Sequence, residues 1–111
     1  VSSAPCASTA YNCWPTVAPS SLAIYTSTAI PGWTGSFLLT SLKDGAVHRV
    51  DADRDELLFR TVNRYRDLAV SADGRTFYIA TDPGGDTRAL DGSPTNALAH
   101  RGAILEFRAQ P

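Results

Sequence analysis

Short apolar runs separated by turn signals recur along the chain, and helical periodicity is almost absent. Leu22 to Tyr25 is the first clear run. Pro31-Gly32 breaks the chain before Phe37 to Leu39. Asp44-Gly45 reads as a hairpin turn into Val47–Val50. The polar tract Asp51 to Asp55 precedes Glu56 to Thr61, and Arg66 to Val70 follows with Leu68 and Val70 on one face. Asp73-Gly74 turns the chain into Thr76 to Ala80. A polar loop, Asp82 to Arg101, is punctuated by proline and glycine, and Ala103 to Phe107 closes the pattern. The pattern predicts about seven strands at a spacing of roughly ten residues, hence an all-β chain.

The segment Ser71-Ala72-Asp73-Gly74-Arg75-Thr76-Phe77-Tyr78-Ile79 resembles the turn-and-strand cadence of a propeller blade. A blade takes about 40–50 residues and four strands, so the 111 residues amount to about two blades. Two blades cannot close a ring. Either the fold is a different one, such as a small sandwich, or other polypeptide completes it; the strand count does not choose.

Composition narrows the function classes. The net charge is -1, without the basic excess of a nucleic-acid binder. No run approaches the roughly 18 apolar residues of a membrane helix. Val1 to Pro5 offers no basic start, and no apolar stretch of signal-peptide type follows it. Cys6 and Cys13 lie in a stretch rich in Ser, Thr, Ala and Pro. Their spacing suits zinc poorly and no histidine stands close by. A local disulfide and two unrelated thiols remain as readings; the disulfide would imply an oxidising compartment and would add about 2 kcal/mol from loop closure.

Three segments carry a family resemblance: Tyr11-Asn12-Cys13-Trp14-Pro15-Thr16-Val17-Ala18-Pro19-Ser20-Ser21, Ser41-Leu42-Lys43-Asp44-Gly45 and Asn63-Arg64-Tyr65-Arg66-Asp67. In order and spacing they resemble the soluble glucose (aldose sugar) dehydrogenases that use pyrroloquinoline quinone (PQQ). The Cys6–Cys13 pair before Trp14 resembles the family's pattern too, as do Thr81-Asp82, Asp91-Gly92-Ser93 and Thr95-Asn96. The likeness spans essentially the whole chain but only the last quarter or so of such an enzyme. It implies about two four-stranded antiparallel blades of a six-bladed β-propeller, with residues 1–111 as the C-terminal part of one domain, incomplete on its own.

PQQ is a flat tricyclic ortho-quinone bearing three carboxylates. A protein that holds it needs cations and a wall for the rings. Arg64 and Arg66, at i and i+2, share a face on a strand, and guanidinium groups pair bidentately with carboxylates. The alternative is a solvated face with both arginines bridged to Asp67 or Asp73. Lys43 ends an apolar run before a turn, where a lysine is ordinarily a surface residue; the resemblance implies a cofactor contact that stabilises negative charge during reduction. Thr16 carries a hydroxyl suited to a cofactor carboxylate, or is an ordinary loop hydroxyl beside Pro15. The resemblance implies that Trp14 forms a wall for cofactor and sugar and that Tyr11 contacts the sugar; Trp14 as a core plug is the alternative. His48 and His100 have no nucleophile or acid at a telling spacing and read as surface or structural. Asp51-x-Asp53-x-Asp55 lacks the Gly and distal Glu of a calcium loop and reads as a hairpin turn.

For the intact protein the resemblance implies oxidation of an aldose at its anomeric carbon to a lactone, with an external electron acceptor re-oxidising the cofactor. It places the catalytic histidine, and most of the calcium site, in earlier segments, so no catalytic residue and no metal ligand is assigned here. The protein is expected in the periplasm or secreted, and the open piece is expected to associate with the remaining blades or with a second copy. A non-catalytic propeller module that binds a protein or carbohydrate is the competing reading.

Overall fold

The computed structural model describes residues 17–109. Its elements follow the hydrophobic pattern: β1 Pro19–Ile24, β2 Phe37–Ser41, β3 Val47–Val50, β4 Asp55–Leu58, β5 Tyr65–Val70, β6 Thr76–Thr81, β7 Thr87–Arg88, β8 Pro94–Thr95 and β9 Ile104–Arg108. The described residues contain no helix. Two antiparallel sheets result, with strand orders β1-β2-β3-β4 and β5-β6-β9, plus a two-stranded ribbon of β7 and β8. The first sheet has the four strands expected of a blade. The second has three, and the segment Asp82 to Arg101, expected as a plain loop, carries the ribbon before the chain returns as β9.

Alternation along the strands sets the core. Ala23, Leu38, Val47 and Leu58 of the first sheet face Tyr65, Leu68, Val70, Phe77, Ile79, Leu105 and Phe107 of the second. Tyr25, Leu38, Val47, Tyr65, Phe77 and Ile79 are fully buried between them. Burial of six such side chains, at about 1.5–3 kcal/mol each, is the main attraction between the sheets. Aromatic rings fill one end of the interface: Tyr25 stacks on Phe77 at 6.0 Å, Trp33 tilts on Phe77 at 5.6 Å, and Phe59 stacks on Phe107 at 4.6 Å. The Arg49 guanidinium lies over Trp33, 5.3 Å from the ring centroid.

The outward face of the first sheet is largely apolar, and that of the second mixes apolar side chains with Asp67, Glu106 and Arg108. Leu22, Ile24, Phe37 and Leu57 project from the first sheet and are 62, 56, 43 and 57% exposed. Tyr78 and Ile104 project from the second sheet at 39 and 67%. A sheet packed on one side only normally places polar residues outward, so these flanks are built to be covered.

Antiparallel pairing sorts the connections onto two ends. The starts of β1, β3 and β5 and the ends of β2, β4 and β6 form an upper rim of residues 41–46, 58–65 and 81–103. The lower end holds residues 25–36, 51–54 and 71–75. There Asp51 Oδ1 accepts the amides of Asp53 (2.8 Å) and Arg54 (3.1 Å), so Asp51 to Asp55 is the hairpin turn the sequence indicated.

Candidate functional site

Lys43, Arg64 and Arg66 all stand on the upper rim, brought there by the ends of β2 and the start of β5. Tyr65 anchors the arginine segment. Alternation sends its ring into the core between them, where its hydroxyl donates to the Phe59 carbonyl and meets Thr61 Oγ1 at 2.7 Å. Burial pushes the Tyr65 phenol up to about 12.

The two guanidiniums converge on one carboxylate. Arg66 donates through Nε to Asp82 Oδ1 (2.9 Å) and through Nη2 to Oδ2 (2.9 Å). Arg64 Nε donates to the same Oδ2 at 3.1 Å, while its Nη1 donates to the Asp86 carbonyl at 2.7 Å. The hydrogen bond from Arg66, then that from Arg64, outweigh partial burial and hold the Asp82 carboxyl below its ordinary value; Asp82 in turn raises Arg66. Gly85, at φ +111°, lets the loop close over Arg64: a Cβ there would lie 2.7 Å from Arg64 Nε. On the competing solvated-face reading the bridging carboxylate is Asp67 or Asp73. Asp67 instead caps its own neighbour, accepting the Leu68 amide at 2.8 Å, and Asp73 closes its turn with Ser71 and Arg75.

Lys43 is the sequence's single lysine and is buried, 6% exposed, which rules out the alternative of an ordinary surface lysine. Its amide donates to the Val17 carbonyl at 3.0 Å, and its carbonyl accepts the Arg88 amide at 2.9 Å. The Thr87 hydroxyl is shared between the carbonyls of Lys43 (3.1 Å) and Asn63 (2.9 Å), which ties the lysine segment to the residue before Arg64. Burial first, and the charge of Arg88 second, lower the Lys43 ammonium from its ordinary value.

Asn63 is the hub of the rim. Fully buried, it donates to Thr61 Oγ1 (2.9 Å) and accepts the His100 amide on Oδ1 (2.8 Å). Gly45 presses on this segment at φ +56°, where a Cβ would lie 2.2 Å from the Thr61 carbonyl oxygen. No larger residue fits that position.

Next to Lys43 in the chain, Asp44 begins an acid–base row that the sequence did not reveal, buried at Asp44 and His48 and open to solvent at Asp55. His48 Nε2 meets Asp44 Oδ2 at 2.9 Å and Nδ1 meets Asp55 Oδ1 at 3.0 Å. Ser41 Oγ donates to the other Asp44 oxygen. Burial alone would raise the Asp44 carboxyl, but the hydrogen bonds from His48 and Ser41 prevail and lower it. The hydrogen bond to Asp44 raises His48 against its desolvation. His48 is thus a structural histidine, whereas the His100 side chain lies on the surface.

Trp14, Thr16, Tyr11, Cys6 and Cys13 lie outside the described residues. A cavity of about 720 Å³ opens at the opposite, lower end, between residues 23–28 and 70–72, and none of the candidate residues lines it. Its walls are the exposed ends of β1 and β5, a cleft left by uncovered strands and not a site with converging charge.

Sequence reasoning missed Asp82, Asn63, Thr87 and the Asp44–His48–Asp55 row. Asp82 had a signal: any register that pairs the start of β5 with the end of β6 puts it beside the arginines, as Tyr65 opposite Thr81 does.

Residues 2–90 match the family model described as glucose/sorbosone dehydrogenase. The chain is 40% identical over 112 aligned positions to quinoprotein glucose dehydrogenase B of Acinetobacter calcoaceticus. That alignment covers 92% of this chain and 23% of the relative, so the chain spans about a quarter of the relative's length. With the family model matched over residues 2–90 and a relative 40% identical over 92% of its length, this chain belongs to the glucose/sorbosone dehydrogenase family.

Proposed function

We propose that the chain is the C-terminal part of a PQQ-dependent aldose dehydrogenase and that its upper rim anchors the cofactor through Lys43, Arg64 and Arg66. The observation that carries the reading is the convergence of Arg64 and Arg66 on a single carboxylate, Asp82, at 2.9–3.1 Å. Two guanidiniums preset on one anion, with nitrogens of both groups not engaged by Asp82, suit a ligand bearing several carboxylates. Asp82 cancels one of the two charges and keeps the pair from repelling, so the donor set fits PQQ with a net positive rim.

PQQ, when bound, would supply an ortho-quinone that takes up the hydride from the anomeric carbon of an aldose. The residues of this chain would bind and orient it. Arg64 and Arg66 would hold carboxylates, each with a side chain already fixed before binding, which lowers the ordering cost. Lys43 would place its Nζ proton where negative charge develops. Its burial makes that contact stronger than it would be in water. Trp14 and Tyr11 are proposed as the sugar-side wall, Trp14 and Thr16 as further cofactor contacts, and Cys6–Cys13 as a disulfide framing their loop, in keeping with a periplasmic or secreted protein. The base and calcium would come from other parts of the protein, as would the blades that cover the bare faces of the two sheets.

Titration of the full-length protein with PQQ, followed by absorbance, tests the reading. Saturable binding that weakens at least tenfold in Arg64→Ala and in Arg66→Ala is expected, since each removes charged hydrogen bonds of about 1.5–3 kcal/mol. Absence of binding, or binding by both variants as tight as by the wild type, overturns it.

A further inference from the structure

The Asp44–His48–Asp55 row includes none of the candidate ligand contacts, yet Asp44 is the residue that follows Lys43. His48 lies in β3 with Leu39 and Leu57 as its register partners, so hydrocarbon flanks the ring on both sides. Its nitrogens face carboxylates at 2.9 and 3.0 Å. A carboxylate only accepts, so both contacts are satisfied only when both ring nitrogens carry a proton. The ring is then a cation between two anions. The Arg60 guanidinium is the further charge acting on Asp44, whose second oxygen is held by Ser41 Oγ. A neutral ring has one N–H and leaves one carboxylate facing a lone pair, which is most unfavourable at Asp44, whose side chain is as buried as the ring itself.

The same carboxylate shapes the lysine turn. Asp44 stands between Lys43 and Gly45, and Gly45 is the residue that locks against Thr61 and Asn63. Whatever fixes the Asp44 side chain therefore fixes the backbone that presents Lys43.

We propose that His48 is a positioning residue for Lys43: by bridging Asp44 and Asp55 it holds the 41–45 turn, sets where the lysine's Nζ stands on the upper rim, and makes that placement dependent on pH. The consequence for binding rests on Lys43 being a cofactor contact, as proposed above. Deprotonation of the ring releases Asp44 or Asp55, loosens the turn and weakens the cofactor seat.

The test uses the full-length protein and two readouts. Acetic anhydride labelling of Lys43, located by peptide mass spectrometry across pH, needs no cofactor. PQQ affinity across the same pH range needs it. In the wild type, Lys43 labelling is expected to rise beyond the amine's own titration at the pH where His48 loses its proton, and PQQ affinity to fall roughly five- to tenfold over that interval. Asp55→Asn removes one anion at a side chain that is 63% exposed, keeps the fold, and is expected to move both steps to lower pH. His48→Gln, with an amide that donates to one carboxylate at a time, is expected to abolish the steps. Lys43 labelling profiles that superimpose in wild type and Asp55→Asn overturn the proposal, even if His48→Gln fails to fold. A wild type that binds no PQQ overturns the cofactor reading alone, because the labelling profile still decides the positioning.

Discussion

The two ends of the same pair of sheets are held by different physics. At the lower end, Tyr25, Trp33 and Phe77 pack ring on ring, and the turns are ordinary Asx and glycine turns. At the upper rim, buried polar groups do the joining: Asn63, Thr87, Asp44 and His48 each bridge separate segments. Hydrocarbon packing is non-directional and tolerates shifts, whereas a buried hydrogen-bond network permits one arrangement. The stable end therefore supplies attraction between the sheets, and the polar end supplies the fixed spacing of Lys43, Arg64 and Arg66.

That contrast can be broken in several ways. The largest effect is expected from separating the chain from the rest of its protein. With exposed apolar side chains on the outer faces of both sheets, the isolated chain is expected to self-associate on size-exclusion chromatography and to show no sugar-dependent dye reduction with added PQQ and calcium. A well-behaved monomer, or clear turnover, contradicts this.

Within the full-length protein, Phe77→Ala should cost about 3–5 kcal/mol of stability in urea unfolding, while the folded fraction still binds PQQ as the wild type does. A loss of affinity without a loss of stability would reverse the assignment of the two ends. Gly45→Val should cost about 3 kcal/mol from overpacking and left-handed strain and should also weaken PQQ binding, because it pushes the lysine turn off Asn63. Gly32→Ala is the matched control: its φ is +84° but nothing lies within 4 Å of the added Cβ, so a cost of only about 1 kcal/mol and unchanged affinity are expected.

The smallest effect is pH dependence, and it sharpens the comparison because it concerns the upper rim alone. His48 is raised above 6.5, so its bridge contributes fully below 6.5 and is lost as pH rises through the folded value. Asp44 is lowered below 3.8, so its contribution is present above 3.8 and is lost as pH falls through the folded value. The rim should be most stable between those limits. Hydrogen exchange of the amides around Thr61 and Asn63, followed across pH, should show maximal protection there, while amides of β6 near Phe77 show none of this dependence.

Much of the fold was legible because β-structure writes itself locally. Leu38 and Val47 declare the inward face by alternation, and Asp44-Gly45 and Asp73-Gly74 declare their turns. The ribbon of β7 and β8 was not legible, since two-residue strands carry no periodicity. The rim was legible in its motifs but not in its partners. Arg64 and Arg66 were singled out, yet the carboxylate they share lies 18 and 16 residues away. His48 read as unremarkable because its partners come from a turn and from a neighbouring strand.

The sequence by itself determined the all-β class, the place of most strands along the chain, the family and the candidate cations, since all of these depend on periodicity and short contiguous motifs. Only the tertiary structure decided that the two guanidiniums meet on Asp82, that the single lysine is buried, and that His48 stands between two carboxylates. Those facts depend on which strands pair and in what register, and a polar side chain acquires its partner and its desolvation only after that pairing is made.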